Sequence, residues 1–214
     1  EAVARRTGVS AQLGAGDTPC ARVASFYRRI LGLGRAELAG ELEMKGPALD
    51  KLLRQLNLDA RQSTRRILRM ANALVTLGVT KGERVGMALP NCPQFVVAYL
   101  AALSAGAIVV NLNPMYTQGE LKFMMENTGV STLFTFDGAL GTFRPLAREL
   151  NIQRVIVTKI SDFLNGVPVS TARGLDLEEG WHHFSELLAA STDARIPRIP
   201  ITPDDPALIQ FTGG

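Results

Sequence analysis

A long apolar stretch runs from Arg84 to Glu120 with no charged residue between these two ends. A helix that crosses a membrane needs about 20 consecutive apolar residues. Pro90, Gly106 and Pro114 interrupt this stretch, and each is a residue type that ends helices and strands. The interruptions divide it into a strand, a helix and a second strand. They favour a buried βαβ unit, and a membrane-embedded helix is the alternative.

Apolar spacing predicts further elements on both sides of this unit. Before it, apolar positions recur at i, i+3, i+4 and i+7 and predict a helix over 64–77 that Gly78 ends. From Arg84 onward, predicted strands alternate with helices: strands over 84–89, 107–112, 131–136, 154–158 and 207–211, and helices over 95–104, 118–127 and 139–150. This alternation predicts an α/β fold with a doubly wound, mostly parallel sheet and flanking helices.

Local signals add detail to this outline. Thr117 and Glu120 have the spacing of a capping box at the start of the helix over 118–127. Residues 181–190 are predicted to be helical, so the neighbouring His182 and His183 would point in different directions and share no ligand. The remaining predictions are packing helices over 21–34 and 47–58, a surface loop over 159–180 and an extended linker over 191–203.

Composition is ordinary for a globular protein, with 46% apolar and 20% charged residues among 214. The net charge of +3 is uneven, because residues 1–69 carry 13 Lys and Arg against 7 Asp and Glu. That excess would suit a nucleic-acid or anionic-lipid surface. No aromatic residues alternate with the arginines and no recognition motif is present, so we expect solvated helix faces and no nucleic-acid partner.

Few residues are candidates for catalysis, disulfide formation or metal binding. The two cysteines, Cys20 and Cys92, are too few for a disulfide framework, and Cys92 is expected to be a small apolar residue in a turn. Asp204 and Asp205 have two interpretations, paired carboxylates or an acidic turn before a strand, and the acidic turn is the simpler one. We expect no metal site, because no metal-ligand spacing occurs. The first residues lack the apolar core of a secretory signal, which favours a reducing cytoplasm.

Three segments, in this order, resemble the adenylate-forming enzymes. They are ANALVTLGVTKGERV, ALPNCPQFVVAYLAALSAGAIVVNLNPMYTQGEL and DDPALIQFTGG. The run NPMYT with the following EL is similar to the bacterial long-chain fatty-acyl-CoA ligases. The resemblance covers residues 63–214. It implies that residues 61–214 are part of the large N-terminal domain of an acyl-CoA ligase, and that residues 1–60 are a divergent, helix-containing extension or misread sequence.

The resemblance also implies a reaction. A fatty carboxylate attacks the α-phosphorus of Mg-ATP, and the thiol of coenzyme A then displaces AMP from the acyl-AMP. ATP, Mg²⁺, coenzyme A and a fatty acid are therefore the implied cofactors and substrates. Thr212, Gly213 and Gly214 match the start of the family's phosphate loop, in which backbone N–H groups hold phosphate oxygens. No catalytic or metal-binding residue of the family has a counterpart.

The sequence has no initiator Met and stops inside this loop, so we expect a fragment that cannot adenylate by itself. Two other functions stay open. One is a non-catalytic Rossmann-like or flavodoxin-like binding module, although no G-x-G-x-x-G follows the first strand. The other is a ligase of the same superfamily that acts on another carboxylic acid. A lipid substrate would suit a cytoplasmic protein with peripheral contact at the inner face of the membrane. Oligomeric state is not predicted.

Overall fold

A computed structural model describes residues 60–163, 175–195, 197–202 and 204–211, with only the backbone at 60–63 and 163. The helices predicted over 21–34 and 47–58 lie outside this part of the chain, as do residues 164–174 of the predicted loop.

The described elements alternate as the sequence predicts. Five helices are α1 (Ala60–Thr76), α2 (Pro93–Ser104), α3 (Gln118–Thr128), α4 (Leu140–Glu149) and α5 (Phe184–Ala190). Six strands are β1 (Arg84–Met87), β2 (Ile108–Asn111), β3 (Val130–Phe136), β4 (Arg154–Thr158), β5 (Trp181–His183) and β6 (Leu208–Ile209). Short 3₁₀ turns follow β3 at Asp137–Ala139 and β4 at Ile160–Phe163.

The six strands form one sheet in the order β5-β4-β3-β1-β2-β6, and each neighbouring pair is parallel. The chain passes from β1 to β2, crosses back over β1 to β3, and continues outward to β4 and β5. Since parallel crossovers are right-handed, this reversal places helices on opposite faces. The predicted doubly wound sheet is confirmed.

Two separate apolar clusters fill the two faces of the sheet. One packs α1, α2 and α5 against Val85, Val109 and Ile156. The other packs α3 and α4 against Val110 and Val155, which alternate with the first set along the same strands. Both faces are covered, which is why these strands are continuous apolar runs in the sequence.

Helix ends follow the sequence signals. Thr117 and Glu120 form the predicted capping box, in which the Thr117 side chain accepts from the Glu120 backbone and the Glu120 side chain accepts from the Thr117 backbone. Gly129 ends α3 in the left-handed conformation, at φ 64°. Gly106 follows α2 at φ 72°, and a Cβ there would lie 2.9 Å from Ile199 Cγ2. A larger residue at Gly106 would be strained and would clash.

Two predictions about the C-terminal third are wrong in part. Trp181–His183 is a strand that pairs with Val155, Ile156 and Val157, and the helix begins only at Phe184. Pairing with the open edge of β4 outweighs the helical pattern there. Burial and the nearby Arg154 lower the pKa of His182. The last strand is also shorter than predicted, with two residues.

The described helices include none with the length and apolar content to cross a membrane. The apolar helix of the opening stretch, α2, has 12 residues and lies against the sheet.

Candidate functional site

Because all six strands are parallel, their carboxyl ends lie at one edge of the sheet. Ligands of open α/β sheets bind outside this edge, commonly where the winding reverses. Two places meet this description. One is the crevice between β1 and β3, at the reversal. The other is the end of β6, from which the chain continues to Thr212.

At the carboxyl edge beside β1 and β3, hydrogen bonds join the protein's own segments. Gln94, in the first turn of α2, is fully buried. Its Nε2 donates to the backbone oxygens of Lys159, at 3.1 Å, and Ile160, at 3.5 Å. The Ile160 N–H in turn donates to Asp137 Oδ1 at 3.4 Å. These bonds join the segments after β1, β3 and β4 at the carboxyl edge.

Two ionisable side chains near this crevice are buried. Cys92 is the N-cap of α2, and burial raises the pKa of its thiol. An un-ionised, buried thiol is a poor nucleophile, as the sequence predicts for Cys92. Burial also raises the pKa of Asp162, although Lys159 opposes this effect. Both side chains are only 5% exposed.

The end of β6 lies beside the end of β2. Leu208 and Ile209 pair with Val109 and Val110. One residue further, Asn111 Nδ2 donates to Gln210 Oε1 at 2.8 Å. The strand therefore approaches the carboxyl edge next to β2, and Phe211 is the last described residue. The predicted site residues Thr212, Gly213 and Gly214 lie outside the described part, so their role stays a prediction.

The loop after β2 starts at the same corner of the sheet. Asn113 Oδ1 accepts from the Met115 N–H at 3.0 Å, and the Tyr116 N–H donates to the Asn113 backbone oxygen at 3.0 Å. This turn leaves Met115 86% exposed and Tyr116 41% exposed. The NPMYT segment thus forms an ordered loop with exposed apolar side chains, and it begins beside the strand that leads to Thr212.

The start of β6 is held at the opposite edge of the sheet. Lys81 Nζ lies 2.7 Å from Asp205 Oδ2 and donates to the Pro200 backbone oxygen at 2.7 Å. Asp205 also accepts from the Thr202 N–H. These contacts make 204–205 an acidic turn before the strand. Among the described residues, no group of three or more His, Cys, Asp or Glu could hold a metal ion.

Comparison with known proteins identifies the family. The family described as "AMP-binding enzyme" matches residues 47–214, which is most of the chain. The protein therefore belongs to the AMP-binding enzymes, the adenylate-forming family that its sequence resembles. The family match begins at residue 47. From the sequence segments, the resemblance was expected to begin only at residue 63.

Several curated relatives are CoA ligases. A long-chain-fatty-acid–CoA ligase of Bacillus subtilis is 29% identical over 157 residues, which cover 69% of this chain and 28% of the relative. A crotonobetaine/carnitine–CoA ligase of Salmonella arizonae is 35% identical over 150 residues, covering 70% of this chain and 27% of the relative. The chain thus spans little more than a quarter of the length of these relatives.

Solved structures agree on the fold. A long-chain-fatty-acid–CoA ligase from Archaeoglobus fulgidus superposes with a TM-score of 0.59 at 24% identity, over 73% of this chain and 28% of that one. An anthranilate CoA ligase in complex with anthranoyl-AMP gives a TM-score of 0.60 at 18% identity, over 72% and 27%. At these identities the likeness concerns the α/β fold alone.

Sequence reasoning missed two polar residues of the carboxyl edge, Gln94 and Asn111. Asn111 had a signal: it is a polar residue at the end of the β-branched run AIVV, where a buried strand emerges. Gln94 had none, because one polar residue in the first turn of a helix is ordinary.

Proposed function

We propose that this chain is the sheet-forming N-terminal part of a long-chain fatty acid–CoA ligase. In that enzyme, ATP and a fatty acid give acyl-AMP and pyrophosphate, and coenzyme A then gives acyl-CoA and AMP. Thr212, Gly213 and Gly214 begin the loop that binds the ATP phosphates. Mg²⁺ would reduce the negative charge of the phosphates, and no group of three or more His, Cys, Asp or Glu among the described residues would hold it.

The family match and the topology of the sheet together support this proposal. The family match extends to Gly214, and β6 runs parallel to β2 toward the carboxyl edge and ends with two residues between it and Thr212. Small residues that follow the carboxyl end of a parallel strand allow the backbone to approach phosphate oxygens closely. At the competing position, beside β1 and β3, Gln94 after β1 donates to the Lys159 backbone oxygen after β4.

The proposal of a long-chain fatty acid as the substrate is based on the names of two relatives. The ligase of Bacillus subtilis is named for long-chain fatty acids, and so is one of Escherichia coli that is 31% identical over 153 residues. The relative at 35% identity is named for crotonobetaine and carnitine, which favours a small, zwitterionic acid as the second candidate.

Acid-dependent exchange of pyrophosphate into ATP tests both candidates. The assay uses the complete gene product that contains this chain, with palmitate, crotonobetaine, carnitine and benzoate as separate acids. We expect exchange with palmitate, followed by AMP release on addition of coenzyme A. Preference for crotonobetaine would support the second candidate. ATP binding without exchange for any acid would favour a non-catalytic binding module and contradict both.

A matched pair of glycine variants connects the activity to the loop. Gly213→Ala adds a methyl group where the phosphates are proposed to approach, so exchange should fall about 100-fold or more, as when one stabilising donor is lost. Gly119→Ala is the control, because a Cβ there meets no atom within 4 Å. Equal activity of the two variants would place the phosphates elsewhere.

A further inference from the structure

The two outer strands of the sheet are anchored differently. β5 leads directly into α5, whose Phe184 is 1% exposed and has its ring centroid 6.1 Å from that of Phe134 in β3. The chain reaches β6 through an extended segment. Residues 191–195, 197–202 and 204–211, which comprise this segment and β6, are called the C-terminal segment below. Among these described residues, Pro197 alone is buried.

The apolar contacts of the C-terminal segment are partial. Ile199 and Leu208 pack against one face of the sheet, and Ile209 and Phe211 pack against the other. All four side chains keep part of their surface exposed, whereas Val109 in the neighbouring β2 is 0% exposed. Detaching the C-terminal segment therefore exposes little apolar surface, and segments with few buried apolar contacts open at a lower free energy than the core.

Two polar side chains from other elements hold the C-terminal segment. Asn72 in α1 donates from Nδ2 to the Arg195 backbone oxygen at 2.7 Å. Lys81, in the turn before β1, donates from Nζ to the Pro200 backbone oxygen and pairs with Asp205 Oδ2, both at 2.7 Å. Lys81 thus joins both ends of the turn that leads into β6.

Backbone amides of β2 face β1 and β6 in alternation. The N–H groups of Ile108 and Leu112 donate at 2.8 and 3.1 Å to backbone oxygens of β1 and of the residue before it. The Val109 N–H points the other way and donates to the Ala207 backbone oxygen at 2.9 Å. Neighbouring amides of one strand therefore report separately on its two borders.

We propose that the C-terminal segment opens as one unit, separating from β2 while the other five strands stay paired, and that Lys81 is the residue that holds it closed. This inference goes beyond the proposed function and does not depend on it. β6 runs toward the carboxyl edge, where ligands of open α/β sheets bind. A ligand that requires β6 in place shifts this equilibrium toward the closed form.

Amide hydrogen exchange of this chain, followed residue by residue by NMR, tests the separate opening. After correction for intrinsic exchange rates, the Val109 amide should exchange at least about 100-fold faster than those of Ile108 and Leu112. Of the three, only Val109 loses its acceptor when the C-terminal segment leaves. Equal protection of the three amides would mean that the sheet opens as a whole and would overturn the proposal. The measurement needs no substrate, so its failure leaves the proposed function untouched.

A matched pair of lysine variants tests the role of Lys81. Lys81→Met removes a charged hydrogen bond and an ion pair, so Val109 exchange should rise about tenfold further, while the two amides on the β1 side stay unchanged. Lys122→Met is the control and should change none of the three, because Lys122 pairs with Glu149 between α3 and α4.

Two results with Lys81→Met would contradict this role. Equally faster exchange of all three amides would show that Lys81 acts on global stability. Unchanged exchange at Val109 would show that Lys81 does not hold the C-terminal segment closed.

Discussion

The two edges of the sheet differ in whether their buried polar side chains are paired. At the amino edge, charges are paired across several elements. Arg154 Nη1 lies 2.7 Å from Glu83 Oε1, and these side chains are 12% and 15% exposed. At the carboxyl edge, Asn111 Oδ1, Gln94 Oε1 and Thr135 Oγ1 are buried and have no partner among the described residues.

The amino-edge network joins the end of α1 to three strands. Arg154 donates to the backbone oxygens of Leu77 and Gly78, at 2.8 and 3.1 Å. Glu83 accepts from Ser131 at 2.6 Å. Ser104 Oγ, at the end of α2, is an unpaired exception on this side. The contrast indicates that the amino edge stabilises the fold, while the carboxyl edge retains polar groups that stability alone does not require.

The largest expected effect comes from breaking the amino-edge network. Arg154→Met should lower the free energy of unfolding by about 3 kcal/mol, because it leaves Glu83 charged and largely buried without its partner. Urea denaturation of this chain measures the loss. Arg148→Met is the matched control, since Arg148 pairs with Glu178 at an exposed position. Equal effects of the two substitutions would contradict the proposed role of the amino edge.

A smaller loss is expected at the capping box that orders the loop after β2. Thr117→Ala should cost about 1 kcal/mol of unfolding free energy, since it removes the side chain that caps α3. The same denaturation experiment measures it. Thr76→Ala serves as the comparison, because its hydroxyl only bonds back to the Asn72 oxygen in α1. If Thr76→Ala lowered the free energy of unfolding as much as Thr117→Ala, the capping box would contribute no more than an ordinary side-chain hydrogen bond within a helix.

The buried thiol at the carboxyl edge should react slowly. Burial raises the pKa of Cys92, so little thiolate is available at neutral pH. In a Cys20→Ser variant, a thiol reagent such as DTNB should label Cys92 slowly in buffer and rapidly in urea. Rapid labelling of the folded protein would mean that the crevice between β1 and β3 is open, in conflict with the contacts of Gln94.

The smallest effect concerns the acidic turn before β6. The hydrogen bond from Lys81 lowers the pKa of Asp205, and a bond from the Thr202 backbone lowers it further. A carboxyl group with a lowered folded-state pKa stabilises the protein above its ordinary pKa, and this contribution disappears as the pH falls through the lowered value. NMR titration should show that Lys81→Met raises the Asp205 midpoint. An unchanged midpoint would mean that Lys81 does not hold this turn.

Local sequence signals were sufficient to predict the boundaries of elements that neighbouring residues determine. The breakers at Pro90 and Gly106 correctly divided the apolar stretch, and Thr117 with Glu120 correctly marked the start of α3. Relations between distant residues were not predictable. The strand at Trp181–His183 forms because β4 offers an open edge, and Asn111 meets Gln210 only because β6 lies beside β2. Neither fact is contained in local periodicity.

The central claim is that phosphates bind after β6 and not in the crevice at the winding reversal. A crystal structure of the complete gene product with a non-hydrolysable ATP analogue tests it directly. We predict that the analogue's phosphate oxygens accept hydrogen bonds from backbone N–H groups of residues 212–214. Phosphates found between β1 and β3, beside Cys92 and Gln94, would contradict the account.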